Sequence, residues 1–192
     1  MTTFSLDDVT FPDSVIARKA YARATEALSP AIVAHSTRAF FFGSIVGTLT
    51  KRSYDSEALY VASMLHDFGF AKQYHSYDRA FETEGADAAR QMLMEAGDSR
   101  GQLVWDAIAM HTVPHLAIER EREVFLLHVG SSIDAFGARI GEIPREIVEN
   151  IFARYPRADL ANDFAEVTKA IVARQPYCQL AAFAALGLRY LP

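Results

Sequence analysis

Five side chains capable of chemistry stand in apolar surroundings in this sequence: His35, His66, Asp67, His111 and Asp134. The stretch "VASMLHDFGFA" at 61–71 sets the problem, because it places an imidazole and a carboxylate side by side at the end of an apolar run. Burying either group unpaired costs several kcal/mol, so the pair is either exposed at a helix end or offset by positive charge. In "PAIVAHSTRAFFFGSIV", Ile32, His35, Ala39, Phe42 and Val46 recur at helical spacing, which turns His35 inward. Ala58, Val61, Ala62 and Leu65 form a second inner face that His66 continues. Val104, Ala107, Ile108 and His111 make a third, and Val124, Leu127, Ser131 and Asp134 a fourth. A lone histidine on such a face is more often a satisfied core residue than a ligand, and a lone buried aspartate is usually a cap or an ion-pair partner. Recurrence on separate helices changes the balance: one divalent cation would account for His35, His66, Asp67 and Asp134 together. Imidazole and carboxylate suit zinc or iron, and manganese as well, and spacing does not choose among them.

The elements that must position these groups read as helices almost throughout. Apolar residues recur at three and four, and alternating strand-like runs are scarce. Helices are expected near 13–28, 30–51, 55–66, 82–96, 99–112, 118–139, 144–154, 160–173 and 178–189, giving an all-α, single-domain helical bundle over residues 1–192. Ser29-Pro30 suits an N-cap followed by proline at the first helical position, and Gly97 suits a helix end. The connections are short except for 67–81, "DFGFAKQYHSYDRAF", a polar and aromatic segment long enough to be functional, with Lys72 to Arg79 as a candidate lid.

Composition narrows the partners. With 192 residues, 51% of them apolar, the chain is long and greasy enough to fold around a substantial core. A net charge of −5 and the lack of a Lys/Arg stripe argue against nucleic acid. Cys178 is the single cysteine, which excludes an intramolecular disulfide and a cysteine-based zinc site. The opening "MTTFSLDDVTFPD" has no basic segment followed by an apolar one, and the longest apolar stretch, near "QLAAFAALGL", is too short for a bilayer. The expectation is a cytoplasmic protein acting on a small molecule, away from membranes. Helix 178–189 would serve equally as core or as a homo-oligomer face.

His35, the His66-Asp67 dyad and Asp134 resemble the H…HD…D signature of the HD-domain superfamily, all-helical metal-dependent hydrolases that include many phosphohydrolases. The likeness narrows to the cyanamide hydratase-like branch through "FPDSVIARKAY", "HSTRAFFFG", "LHDFG", "FETEGADAARQML", "AIAMHT", "IDAFG", "YPR" and "ARQPY", in that order from about residue 11 to 178. The chain departs from that branch at "HTVPH", where cyanamide hydratases carry a polar or acidic residue soon after the third histidine. This block is more similar to bacterial relatives of uncertain substrate.

The resemblance implies an HD-type bundle with a buried metal held by His35, His66, Asp67 and Asp134. A water on such a cation is acidified from a pKa of about 15.7 toward roughly 7 and can attack carbon or phosphorus, with Asp67 or Asp134 also able to take its proton. Asp67 and His111 are then the catalytic candidates, His111 as proton shuttle. Glu82 and Thr83 open a helix, where capping is the plain role; by resemblance they become substrate-binding groups. The implied activity is hydration or hydrolysis of a nitrile-like or other small C–N substrate. The alternatives are an HD-type phosphohydrolase of a nucleotide or phosphate ester, and a non-catalytic HD-fold ligand-binding protein. Extra histidines leave a second metal open, but Pro114 leaves the direction of His115 undetermined. Arg38, one turn after His35, suits an ion pair; His75 and His128 draw no role, and "ERERE" at 119–123 reads as a solvated helix start.

Overall fold

The computed structural model describes residues 9–76 and 78–185, and among these there are helices and turns but no strand. Helix α1 spans Val15–Ala27, α2 Pro30–Leu49 and α3 Ser56–Leu65. They are followed by α4 Phe81–Glu95, α5 Gly101–Met110, α6 Pro114–Ala117 and α7 Arg122–Phe136, then by α8 Arg145–Arg154, α9 Leu160–Arg174 and α10 Gln179–Ala185. The start signals are local. Ser14, Ser29 and Asp55 each accept a backbone N–H from the first turn they cap, those of Ala17, Ile32 and Ala58, and Pro30 opens α2.

The expected helix at 118–139 is the shorter α7, and a separate short helix precedes it in the expected connection. Pro114 starts the short α6, and α7 ends where Gly137 takes a left-handed φ of 71°. Gly97, also at φ 71°, follows α4 as anticipated. Residues 186–189 of the expected last helix lie outside the described residues.

Helix α2 is the axis of the bundle, with fifteen of its twenty residues buried. An apolar face was therefore too narrow an expectation, because α2 is enclosed nearly all round. Among the described residues it is also the one helix long and apolar enough to cross a bilayer, with a mean hydropathy of 1.2. Its packing accounts for that composition, since 78% of the window lies inside the fold.

Two glycines permit the approaches that build the interior. At Gly130 of α7, a Cβ would lie 2.1 Å from the Ala39 carbonyl oxygen of α2, so the two helices touch backbone to backbone. That contact brings Asp134 alongside His35 and Arg38. At Gly69 a Cβ would lie 1.9 Å from the Phe81 carbonyl oxygen, which presses the turn after the His66-Asp67 dyad onto the start of α4.

The segment 67–81 is folded rather than loose. It forms 3-10 turns at Phe68–Phe70 and Lys72–Tyr74, Arg79 pairs with Asp87, and Gln175 donates to the Arg79 carbonyl. Buried Glu84 of α4 accepts from Arg174 of α9 at 2.6 and 2.9 Å and from the Ser76 hydroxyl at 2.9 Å. "ERERE" is solvated only in part, since Glu123 is buried and accepts the Asp55 N–H.

Two outcomes follow from this packing. Gly130→Ala should lower stability in a denaturant titration by about 3 kcal/mol or more, since the methyl must push α2 and α7 apart. Burial alone would raise the Glu84 pKa, but Arg174 and Ser76 outweigh it and hold it below its usual 4.5. A depressed acid contributes stability above its unfolded pKa and loses it as pH falls through the folded value. Glu84→Gln should therefore cost about 3 kcal/mol at pH 7, and the gap to wild type should close as pH drops below 4.5.

Candidate metal centre

The centre begins with a carboxylate that never faces the cavity. Asp134 is fully buried and receives Arg38 Nε at 2.7 Å and Nη2 at 2.8 Å, with Arg157 Nη1 at 3.2 Å. Arg38, also fully buried, spends Nη1 on the carbonyls of Tyr155 and Pro156 at 3.2 and 3.0 Å. Burial would raise the Asp134 pKa, but hydrogen bonds from His35 and Arg38 more than offset this and hold it at about 2. An ionised carboxylate only accepts, so His35 Nδ1, 2.7 Å from Asp134 Oδ2, carries the proton. That leaves His35 Nε2 turned toward His66.

His66 reaches the same state by another route. Its Nδ1 donates to the Ser63 carbonyl at 2.7 Å, leaving Nε2 bare. The two Nε2 atoms stand 3.2 Å apart, and Asp67 Oδ2 lies 3.3 Å from His66 Nε2 and 3.8 Å from His35 Nε2. Three atoms able to act as ligands thus face one another, and buried Asp67 Oδ2 has no hydrogen-bond partner. Burial pushes Asp67 up to about 7 against the pull of His35, while burial and then His35 push His66 down to about 3. One cation would reverse the Asp67 shift and reinforce that of His66, since both bind a metal only without a proton at the coordinating atom. The ligand atoms of His35, His66 and Asp67 lie within 4.8 Å of one another, so the donor set fits a metal ion.

Asp134, expected as a fourth ligand, stands behind His35 instead and orients it. Its oxygens are already taken by Arg38, Arg157 and His35, which is the ion pair expected of Arg38 carried to full burial.

His111 and His128 share the tautomer of this pair. His111 donates Nδ1–H to the Ile108 carbonyl at 2.6 Å, and its ring stands edge-on to His66 with centroids 4.9 Å apart. His128 donates Nδ1–H to the His111 carbonyl at 2.7 Å. Burial first, and then His66, lowers the His111 pKa well below its usual value; burial lowers that of His128 as well. His128 lines the cavity although its helical face marked it as idle. α7 is buried on most sides, so the face argument could not find it; its spacing of three from Ser131, which lines the same cavity, was the available signal.

The cavity above the three ligands has a volume of about 330 Å³. Thr112 lines it and donates its hydroxyl to Glu82 Oε1 at 2.7 Å. Glu82 Oε2 is buried without a partner, and burial raises the Glu82 pKa despite that bond. Among the described residues Thr83, half-buried in the first turn of α4, does not line the cavity, and neither does the exposed His115. No protein-family model matches this chain, and no curated protein matches it.

Because the Asp67 carboxylate costs stability while unpaired, Asp67→Asn should leave the metal-free protein at pH 8 at least as stable as wild type, with a gain of up to about 2 kcal/mol. Zinc should raise the melting temperature of the wild type and not that of this variant. Thermal unfolding with zinc and with chelator checks both.

Proposed function

We propose that this chain is a metal-dependent hydrolase or hydratase of the HD-domain type, similar to cyanamide hydratases, adding water to an uncharged small molecule with a nitrile-like or other C–N centre. The observation that carries the reading is the convergence of His35 Nε2, His66 Nε2 and the unpartnered Asp67 Oδ2 on one buried point. A zinc, iron or manganese ion held there supplies Lewis acidity and an acidified water.

The chain's own groups complete the chemistry. His111 is anchored through Nδ1 and neutral near pH 7, so its Nε2 can take a proton and return it. Thr112 has its proton committed to Glu82, so its oxygen offers lone pairs to a substrate N–H. Glu82 thereby acts on the substrate by orienting Thr112. The rings of Phe164 and Phe81 pack edge-on against His35 and His111 and thin the water around them.

Local charge supports the uncharged substrate over a phosphate ester. Arg38 and Arg157 are engaged by Asp134, and Arg139 at the cavity is held in a two-point pair with Glu142. A phosphate would rely on the metal alone for positive charge.

The test is metal analysis of the purified protein followed by incubation with cyanamide, simple nitriles, nucleotides and phosphate esters. A stoichiometric metal with an amide or urea product is expected. Phosphate release without any hydrated product would overturn the ranking, and no metal at all would overturn the enzyme. On the substrate so found, His111→Gln should lower kcat by about 10²- to 10⁴-fold with metal content unchanged.

A further inference from the structure

Resting on the hydrolase reading, we propose that the substrate is an uncharged molecule carrying a compact apolar body the size of an aromatic ring beside its reacting C–N group. The cavity over His35, His66 and Asp67 holds about 330 Å³, or roughly eleven water volumes of ~30 Å³ each. A molecule such as cyanamide would leave most of that space to water. The walls are poor partners for water. Phe70 stacks on Phe81 with centroids 4.9 Å apart and meets Phe164 edge-on at 6.0 Å, closing one side. Phe136 of α7 and Phe183 of α10 pair edge-on at 5.9 Å and also line the cavity. The polar lining consists of the ligand end with His111 and His128, a few hydroxyls, among them Thr112 and Ser131, and Arg139, which is paired with Glu142.

That division assigns each part of the substrate a place. The polar C–N end meets the histidines and Thr112, and the apolar body meets phenyl rings. Each methylene-sized group that leaves water is worth about fourfold in affinity, so a phenyl group should outbind a methyl group by roughly a hundredfold or more. An anionic body is disfavoured, because Arg139 is occupied by Glu142 and Asp67 adds negative charge.

The test is binding, measured by ligand-observed NMR on the full chain with zinc and with chelator. Benzonitrile should bind about a hundredfold tighter than acetonitrile, and removing zinc should weaken it by less than tenfold, since the rings hold the body. Phenyl phosphate should not bind the chelated protein. Ser132→Phe, which fills the cavity from the half-buried face of α7, should weaken benzonitrile tenfold or more and leave the zinc-induced rise in melting temperature intact. Should that variant misfold, Phe183→Ala should shift preference from benzonitrile toward 1-naphthonitrile. Equal binding of acetonitrile and benzonitrile, or an unaltered preference in the folded variants, would overturn the inference. Zinc uptake with turnover of cyanamide but exclusion of aromatic nitriles would overturn it while leaving the hydrolase reading standing. Benzonitrile binding to a protein that takes up no zinc would refute the hydrolase and, with it, this substrate.

Discussion

The Asp134 carboxylate is the constraint on which the centre depends. It is sealed from solvent among Arg38, Arg157 and His35, and every one of those contacts has a consequence. Hydrogen bonds from His35 and Arg38 keep it ionised where burial alone would neutralise it. Ionised, it fixes the proton of His35 on Nδ1 and aims the opposite nitrogen at His66. Without it the imidazole could turn or change tautomer, and the three ligand atoms would no longer converge. A buried ion pair is weak evidence for stability in general. Here its clear effect is orientation.

The same logic is repeated with cheaper partners. His66, His111 and His128 each give Nδ1–H to a backbone carbonyl, those of Ser63, Ile108 and His111. For His66 and His111 the carbonyl lies three residues back, at a helix end where carbonyl groups have lost their helical partners. Helix α3 stops at Leu65 and α5 at Met110, so both histidines sit where the chain leaves its helix. The ends of two helices thereby act as a mould that sets the tautomer of the cavity lining. Burial lowers the pKa of these histidines against the pull of those bonds, and the Nε2 atoms of His35 and His66 meet at one point.

Packing brings the helices close enough for this to matter. The contact of Gly130 with the Ala39 backbone allows α7 to lie directly on α2, and Arg38 can then reach Asp134 with two nitrogens. Around the ligands, phenyl rings replace water. Desolvation makes the bare Asp67 oxygen costly and a cation at the same point correspondingly favourable. An apolar wall around a polar floor suits a substrate with the same division.

Much of this was legible in the residues themselves. Three- and four-residue periodicity, Ser and Asp caps, Pro30 and Gly97 are local signals, and they located most helices because helix ends are decided by neighbouring residues. His35, His66 and Asp67 were legible as a set because polar groups in apolar runs require an explanation. What the sequence could not decide was distance and direction between helices. α2 and α7 are buried nearly all round, so periodicity carried no information on which side His128 faces or whether Asp134 meets the cavity or the back of His35. Whether Thr83 or Thr112 would line the cavity was likewise settled by where α4 and α5 pack. Composition and spacing determine which groups are buried; only the tertiary structure decides which buried groups meet, because lone pairs and guanidinium groups act over three ångströms and the residues they join lie as many as 118 positions apart.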